Sequence, residues 1–524
     1  MIAVLSRQTD LASARLVEAA LCRSVSKSQV QRVSATGLAD NIQDIDIAVF
    51  INPDDFLAMV LKNYISNGKV KVIILGSLPE TLYSKLQITR SDKPIDNNWC
   101  RSLPAQAGAF AESPASINYT TEQPLLGDFC WDRALERFDF ADEWNNLGFG
   151  AVRADGSQWS LSSAITVPEA NCLAHIKVGG DSICSYAALY DEPDSSILWF
   201  NRAVGPIDSF EWHIVERFIA SWRAETLPVL PVLLDIPWGH DAAVTMRLDC
   251  DEDISSSRDL WHMYQQEQVP FSLAIHAANL HDHQHDECMK EMLSAGVAFL
   301  SHSLTHAPNW GGSYENARHE AARSAQMISE VLQQPIRYAV SPFHQNPDYA
   351  LNALCDVGFQ GCIGGIIRND PEFLIARGGE LANMPTGFVG HSQQSMLHGD
   401  CLLNGSDAMT SFKKAFDLSH RCKMLFGYLD HPFSPRYQYG WISEEQRSGA
   451  HQDLIHYIRE QAPKVLFMSE NEAMDFIVDK TLVKISKTVN GFSIKFSGTK
   501  KTNLWPTILL GDKLYSTADV ILMT

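Results

Sequence analysis

The sequence predicts an α/β fold built from an N-terminal parallel-sheet α/β domain, a distorted (β/α) barrel and a small C-terminal β appendage. Three observations lead to this prediction. Short β-branched runs alternate with helical patterns through the first 230 residues, which is typical of βαβ units. The same alternation restarts near residue 242 and continues to about residue 478. The last segment alternates apolar and polar residues on both sides of Asn490-Gly491, which is a strong hairpin signal.

The first domain is predicted over residues 1–230. Its leading strands are the runs IAVL, DIAVFIN and KVKVIILG, and later strands are predicted in LGFGAVRA, SAITV, LAHIKV and SILWFNRAV. A helix in SFEWHIVERFIASWRAE closes the segment, because its apolar residues recur at helical spacing. The strand ending in NRAVGP and the helix after it resemble the end of class I glutamine-amidotransferase-like domains, so we expect a flavodoxin- or amidotransferase-like fold. No G-x-C-x-G nucleophile turn is present, and amidotransferase chemistry is therefore not predicted.

The second domain is predicted over residues 231–478. Three prolines and a glycine in LPVLPVLLDIPWGHD indicate the crossing into it. Its strands are predicted in AAVTMRLD, FSLAIHA, VAFLSHS, YAVSP, FQGCIGG, MLFGYLD and KVLFMS, with helices between them. Residues 479–524 form the predicted β appendage.

Composition and charge exclude several functional classes. The 524 residues carry a formal net charge of −20, which argues against a nucleic-acid or anionic-membrane partner because both require a basic face. No apolar run approaches the roughly 18–20 residues that span a bilayer, and the N-terminus reads as a strand and helix rather than a signal peptide. The 11 cysteines are scattered singly, as in a reducing compartment. We therefore expect a cytoplasmic protein without a thiolate zinc site.

Acidic residues end the first strand of the predicted barrel, in AAVTMRLDCDED. The carboxyl edge of the strands is where barrel folds build their active sites. Side chains alternate along a strand, so Arg247, Asp249 and Asp251 share one face. Read alone, this segment is equally compatible with a solvated acidic turn.

Two histidines follow a later strand, in VAFLSHSLTHAPNW. The H-x-x-x-H spacing brings His302 and His306 to one side of a single turn, where they can chelate one divalent ion. Together with Asp251 they make a two-His, one-carboxylate set that leaves positions open for water and substrate. This donor set suits zinc or a similar borderline metal.

Two further strand ends contribute candidate catalytic groups. His431 ends the strand in KMLFGYLDHPF, and histidine is suited to general acid catalysis because it titrates near neutrality. In RYAVSPFHQN, the backbone amide of Phe343 is a candidate oxyanion donor. The histidines at 344, 391 and 398 are placed near the mouth of the barrel but are given no role, and the loop HDHQHDEC is read as solvated. Trp238 and Trp310 are read as core residues, with stacking on a sugar as the alternative.

The order of these motifs resembles the polysaccharide deacetylase (NodB-homology, carbohydrate esterase family 4) catalytic domain over roughly residues 240–475. HSLTH fits the family's H-[ST]-x-x-H motif, Leu429-Asp430-His431 fits its L-x-H motif, and LDCD fits a D-x-D form of its acidic motif. The resemblance implies a barrel of the NodB type. It also implies roles for the five motif residues: Asp249 as general base, His431 as general acid, and Asp251, His302 and His306 as metal ligands.

The chain departs from the family at two positions. Val340 stands where the family's R-x-P motif has its arginine, and we expect Arg247 to orient Asp249 instead through an ion pair. The family's fourth motif, an acid followed by tryptophan, is not evident in RGGELANMPTGFVGHSQ. Recognition of the sugar on that side is therefore open.

The resemblance implies metal-dependent hydrolysis of an N-acyl group, acetyl in this family's chemistry, from an amino sugar or glycan precursor used in surface-polysaccharide metabolism. The expected metal is Zn²⁺, with Co²⁺, Ni²⁺ or Mn²⁺ as alternatives. Three other functions stay open: a C–N hydrolase of the same fold acting on a small or cyclic amide, an iron(II) oxygenase, and a catalytically lapsed module that binds glycans or proteins. The oligomeric state is not predicted.

Overall fold

The structure is a computed structural model of the whole chain. It describes residues 1–93, 95–96, 115–120, 123–127, 132–134, 156–206, 209–365, 377–393, 395–403, 407–519 and 521–523. The strand predicted in LGFGAVRA lies outside these residues. Within the described part of the chain, no helix combines the length and the apolar character needed to cross a membrane.

The N-terminal part alternates strands and helices from the first residues. Its described strands are β1 (Ile2–Ser6), β2 (Val30–Arg32), β3 (Ile47–Ile51), β4 (Val70–Leu75), β5 (Thr89–Arg90), β6 (Ala115–Tyr119), β7 (Asp132–Ala134), β8 (Ile165–Thr166), β9 (Cys172–Val178), β10 (Asp181–Glu192) and β11 (Ser195–Phe200). Its described helices are α1 (Leu11–Ser24), α2 (Ala35–Asp40), α3 (Asp55–Ser66), α4 (Tyr83–Leu86) and α5 (Ser209–Ala220).

These strands form a mixed sheet in the order β2-β1-β3-β4-β11-β10-β9-β6-β7. The half from β2 to β11 is parallel, as predicted, and the half from β10 to β7 is antiparallel. The long strand β10 was not predicted, because seven consecutive residues of it, 183–189, are buried and the apolar–polar alternation of a half-exposed strand is lost. The amidotransferase-like resemblance of this part stays a prediction.

The second part also alternates strands and helices. Its described strands are β12 (Val232–Pro237), β13 (Ala242–Cys250), β14 (Ser272–Ile275), β15 (Ala298–Ser301), β16 (Tyr338–Val340), β17 (Gly361–Gly365), β18 (Gly379–Glu380), β19 (Val389–Gln393), β20 (Ser395–Met396), β21 (Leu425–Asp430) and β22 (Val465–Met468). Its described helices are α6 (Arg258–Gln266), α7 (Asp286–Ser294), α8 (Tyr314–Leu332), α9 (Asp348–Val357), α10 (Thr410–Arg421), α11 (Glu444–Gln461) and α12 (Glu470–Thr481).

The strands β19-β17-β16-β15-β14-β13-β21-β20 form a curled parallel sheet in that order. The two ends of this sheet, β19 and β20, are separated in the sequence by one residue, and β19 also contacts β21. The ends of the sheet therefore approach each other, as the predicted barrel requires. The parallel α/β character of the fold agrees with the prediction, and all carboxyl ends of these strands lie at one edge.

The C-terminal part is all β, as predicted. Its described strands are β23 (Val483–Thr488), β24 (Gly491–Phe496), β25 (Pro506–Leu510), β26 (Lys513–Ser516) and β27 (Ile521–Met523). The strands β23 and β24 pair as a hairpin across the Val489-Asn490 turn. Strand β25 pairs with β12, and the apolar side chains of these strands share one hydrophobic cluster with the N-terminal sheet. The division into three domains stays a prediction.

A buried ion network joins the N-terminal part to the second part. Arg377 donates from Nε and Nη2 to the two carboxylate oxygens of Glu216, in α5, at 2.9 and 2.7 Å. Its Nη1 lies 3.4 Å from Asp235, in β12, and Asp235 also pairs with Lys480 of α12. Lys480 in turn donates to the carbonyl of Arg23 in α1, at 3.0 Å. All four charged partners Glu216, Asp235, Arg377 and Lys480 are buried.

Candidate active site

The carboxyl edge of the curled sheet carries a cavity of about 310 Å³. It contains most of the residues that the motifs predict. The lining residues are Asp249, Asp251, His302, His306, Ser341, Phe343, His344, His398, Asp400, His431 and Tyr439. They come from the ends of β13, β15, β16, β20 and β21, so strands that are distant in sequence bring one group of side chains together.

His302 and His306 are brought together by a loop and not by a helical turn. Both residues lie beyond the end of β15, and Ser303 and His306 adopt left-handed backbone conformations with φ of 65° and 52°. The two Nε2 atoms are 3.1 Å apart. The spacing therefore predicts the proximity correctly, but the geometry that produces it is irregular.

Asp251 completes a three-residue group with these histidines. Its Oδ1 lies 3.4 Å from His302 Nε2 and 3.5 Å from His306 Nε2. His302 Nδ1 lies 3.1 Å from the carbonyl oxygen of Val340, which accepts only, so Nδ1 is the donor and Nε2 of the neutral ring carries a lone pair toward Asp251. Oδ1 of Asp251 is buried and accepts no hydrogen bond from the described residues. One carboxylate oxygen and two imidazole nitrogens converging in this way fit a divalent metal ion.

Arg247 and Asp249, both in β13, form a buried ion pair beside this three-residue group. Arg247 Nε donates to Asp249 Oδ1 at 2.7 Å and Nη2 donates to Oδ2 at 3.3 Å. Arg247 Nη1 faces Glu470, the first residue of α12, at 3.7 Å. Burial alone would raise the pKa of Asp249, but the charge of Arg247 and its hydrogen bond to the carboxylate lower it to about 2. The carboxylate is therefore ionised at neutral pH, and the guanidinium bonds to both of its oxygens.

His431 faces the second carboxylate oxygen of Asp251. Its Nε2 is 3.4 Å from Asp251 Oδ2, and its Nδ1 is hydrogen-bonded to Nε2 of His398 at 2.8 Å. Tyr439 stacks on the His431 ring with a centroid distance of 4.1 Å and an interplanar angle of 13°. His398 and Tyr439 thus restrict the orientation of His431 from two sides. Neither residue was given a role from the sequence, although His398 closely follows the strand where the family's fourth motif was sought.

A second group of possible ligands, His398, Asp430 and His431, adjoins the first. The carboxylate of Asp430 is already occupied by N–H donors. Its Oδ1 accepts from the His431 backbone amide at 2.7 Å and from Trp441 Nε1 at 3.3 Å, and its Oδ2 accepts from His451 Nε2 at 3.0 Å. This group is therefore a hydrogen-bonded support for His431 and not a second metal site.

Phe343 borders the cavity next to the histidine pair. Its backbone is left-handed, with φ of 52°, and its ring lies 4.5 Å from the ring of His306. This position is close enough to the histidine pair for its amide to stay a candidate oxyanion donor.

The remaining predictions for this region have mixed outcomes. Trp310 is fully buried, as predicted, whereas the prediction that Trp238 packs in the core is wrong, since 45% of its surface is exposed. In the HDHQHDEC loop, His283 is exposed but His285 is buried and hydrogen-bonds to Ser255 at 2.9 Å. His391 is buried but does not line the cavity. Asp400, from the turn after β20, was not predicted.

One segment of the chain matches a family model. Residues 252–362 match the family model of polysaccharide deacetylase, a stretch that includes His302, His306 and Phe343 and ends before His431. No curated protein is significantly similar to the chain.

Several solved structures are similar to the chain at low identity. A protein from Mycobacterium smegmatis, provisionally assigned as a polysaccharide deacetylase, has 15% identity and a TM-score of 0.39, with 48% of this chain and 96% of that chain covered. The Xyl-CE4 domain of a xylanase from the hindgut metagenome of Trinervitermes trinervoides has 14% identity and a TM-score of 0.31, covering 45% and 90%. A family 4 acetyl xylan esterase of Clostridium thermocellum, solved with cobalt, has 12% identity and a TM-score of 0.30, covering 46% and 95%.

These TM-scores are too low for the overall likeness to establish a shared fold by itself. The family match does not depend on them. It covers the strand and loop that carry the H-[ST]-x-x-H motif. Residues 252–362 are thus similar to the polysaccharide deacetylase family, in agreement with the resemblance that the motifs predict.

Proposed function

We propose that this chain is a metal-dependent hydrolase that removes an N-acyl group, acetyl in the simplest case, from an amino sugar or glycan precursor. The observation that carries the proposal is the convergence of Asp251, His302 and His306, whose ligand atoms lie within 4.8 Å of one another, beside the Arg247–Asp249 ion pair. The polysaccharide deacetylase match supports the reaction class and the carbohydrate substrate.

Asp251 Oδ1 and the Nε2 atoms of His302 and His306 would hold the ion. A divalent metal in that position supplies a Lewis acid that polarises an acyl carbonyl and lowers the pKa of water. Zn²⁺ is the ion that this donor set favours, and Co²⁺, Ni²⁺ or Mn²⁺ are alternatives.

The chain's own residues handle the protons. Asp249, ionised and held at both oxygens by Arg247, accepts a proton from the attacking water. His431, oriented by His398 and Tyr439, donates a proton to the leaving nitrogen. The Phe343 amide donates to the oxyanion that develops at the acyl carbon. The cavity of about 310 Å³ is at the small end of the roughly 300–1,000 Å³ typical of small-molecule sites, which favours one sugar residue with a short acyl group.

The test is the metal content of the purified protein, measured by elemental analysis together with acetate release from a panel of N-acetylated amino sugars. We expect near-stoichiometric zinc or a similar divalent metal in the wild type, and loss of both metal and acetate release in a His302→Ala/His306→Ala variant. A His281→Ala/His283→Ala variant is the matched control, because it removes two exposed histidines from a neighbouring loop.

Each other outcome contradicts the proposal in a recognisable way. Iron in place of zinc favours the oxygenase alternative. A bound metal without acetate release from any amino sugar, but with hydrolysis of small or cyclic amides, favours the C–N hydrolase alternative. No metal after reconstitution favours a lapsed enzyme that binds glycans or proteins.

A further inference from the structure

The N-terminal sheet has a cavity of its own at the point where its strand order reverses. From β1, the chain passes to β2 on one side, and β3 then pairs with β1 on the other side. Such a switch point leaves a crevice beyond the carboxyl ends of the strands, and ligands of open α/β sheets bind in this crevice. A cavity of about 420 Å³ lies here, and none of its lining residues belongs to the cavity of the candidate active site. We refer to it as the switch-point cavity.

Side chains at the ends of three strands are tied together to form one wall of the switch-point cavity. Asn52, after β3, has a left-handed backbone with φ of 42°. Its Nδ2 donates to Asp10 Oδ1 at 2.6 Å, and its Oδ1 accepts from the Ser77 backbone amide at 2.9 Å. Gly76 has to be glycine, because a Cβ there would lie 2.0 Å from Asn52 Oδ1. These hydrogen bonds hold the side chains of Asn52 and Asp10 in fixed positions at the edge of the sheet, although packing of the hydrophobic core does not depend on them.

Hydrogen-bond donors at this wall lack partners. Helix α1 begins at Leu11 without a side-chain cap, and Ala12 and Ser13 of its first turn line the cavity. The first N–H groups of a helix have no partner within the helix. Ser13 is only 4% exposed, and its hydroxyl has no hydrogen-bond partner among the residues that the structure describes. A hydroxyl in a cavity wall that has no partner from the chain is free to bond to a molecule in the cavity.

The charges of the lining cancel. Arg7 Nε donates to Asp10 Oδ2 at 2.8 Å, and Thr9 Oγ1 donates to the same oxygen at 2.9 Å. With Oδ1 taken by Asn52, both oxygens of Asp10 are occupied by groups of the chain. Arg7 and Asp10 are the charged side chains of the lining within the described part of the chain, and they offer an ionic ligand no uncompensated counter-charge.

The rest of the lining defines the ligand class. Six of its side chains carry hydroxyl groups, and Asn52 and Gln158 carry amides. No aromatic side chain among the described residues lines it, which argues against a nucleobase. Hydroxyl and amide groups both donate and accept hydrogen bonds, so they match the vicinal hydroxyl groups of a neutral polyol.

We propose that the switch-point cavity is a second, non-catalytic site that binds a neutral mono- or disaccharide. The helix α1 amides and Ser13 donate to the sugar oxygens, and Asn52 and Ser77 hold the wall in place. The site does not depend on the proposed hydrolase function, because no residue is shared with the candidate active site.

The test is ligand-observed NMR titration of the full chain with a panel of neutral mono- and disaccharides and, separately, with inorganic phosphate. A Thr9→Val/Ser13→Ala variant removes two hydroxyls without adding bulk, and Ser329→Ala is the matched control for a helical serine outside both cavities. We expect saturable sugar binding that the double variant weakens about tenfold, as the loss of two hydrogen bonds predicts. Ser329→Ala and His302→Ala are expected to leave this binding unchanged, and phosphate is expected not to bind.

Three results would overturn the proposal. The first is that no neutral saccharide binds the wild type. The second is that sugar binding survives in the double variant, and its loss in His302→Ala would then assign the sugar to the candidate active site. The third is phosphate binding that the double variant removes, which would make the cavity an anion site. Melting temperatures equal to the wild type in both variants exclude misfolding as the cause of lost binding.

Discussion

Arg247 stands where no family motif predicts an arginine, and its replacement is the most informative perturbation of the candidate active site. The guanidinium is fully buried, bonds to both oxygens of Asp249 and faces Glu470 at 3.7 Å. Arg247→Ala would leave two buried carboxylates without a counter-ion. Removing one partner of a buried ion pair costs about 3–5 kcal/mol of stability.

The effect on catalysis follows from the pKa and the position of Asp249. Without Arg247 the pKa of Asp249 rises from about 2, because burial then acts unopposed by the neighbouring guanidinium. The carboxylate also loses the two bonds that orient it toward the attacking water. A catalytic group displaced by about 1 Å lowers the rate roughly 10²-fold, so we expect kcat to fall by about this factor. The metal ligands Asp251, His302 and His306 do not contact Arg247 directly, and the metal content should be unchanged.

The assay compares kcat, KM and metal content at a temperature well below the melting transition. Arg247→Lys retains the positive charge, but a lysine ammonium cannot bond to both oxygens of Asp249 as the guanidinium does. It should therefore be more active than Arg247→Ala and less active than the wild type. Arg377→Met is the matched control: it removes another buried arginine from a carboxylate pair, but one that is outside the candidate active site. It should lower the melting temperature without lowering kcat of the folded protein.

Two results would refute this reasoning. Loss of metal in Arg247→Ala would mean that the arginine shapes the ligand group and not the base. Equal kcat in Arg247→Ala and the wild type would mean that Asp249 needs no orienting group, or is not the base.

Three other perturbations test the site and the fold. Burial would raise the pKa of Glu216, but Arg377 lowers it from 4.5 to about 2. The stability that the Glu216 carboxylate contributes is therefore present above pH 4.5 and is lost as the pH falls toward 2. The melting temperature should show this decline in the wild type and not in Glu216→Gln. Tyr439→Ala removes a ring stacked on His431 and should lower kcat roughly 3- to 10-fold. Tyr439→Phe keeps the ring and loses only the hydroxyl that donates to Asp251 Oδ2 at 3.5 Å, so it should retain more activity than Tyr439→Ala in the same assay. Gly361→Ala places a Cβ 2.4 Å from a carbonyl oxygen of the neighbouring strand and should lower the denaturant midpoint, and an unchanged midpoint would contradict the strand pairing.

The groups that the sequence predicts best are those encoded within one short segment. His302 and His306 are four residues apart, and Arg247 and Asp249 alternate along one strand, so local spacing is enough to place each pair. Their meeting with His431 follows from the rule that parallel strands end at one edge. The parallel half of the N-terminal sheet was predictable for a similar reason, because each βαβ unit is formed by one contiguous segment of the sequence.

The parts that were missed depend on contacts between distant segments. His398 contacts His431 because β20 pairs with β21, and no local sequence pattern predicts that strand pairing. Glu470 begins a helix more than two hundred residues after Arg247, and its role as the second partner of the arginine arises only from the fold. Trp238 was assigned to the core from its residue type alone, and it is exposed because it lies in the turn after β12.

The buried ion network around Arg377 bears on how the chain can be divided. A fragment that begins at residue 231 would retain Arg377 and lose Glu216, leaving the guanidinium without its bidentate partner. The cut would also expose the apolar side chains of β12 and β25 that pack in one cluster with the N-terminal sheet, and an exposed apolar patch promotes aggregation. Lys480 would likewise lose its contact with the carbonyl of Arg23. We therefore expect the deacetylase-like half to be recovered mainly as aggregate when it is expressed alone or fused to another protein. It should stay folded only with the N-terminal half attached.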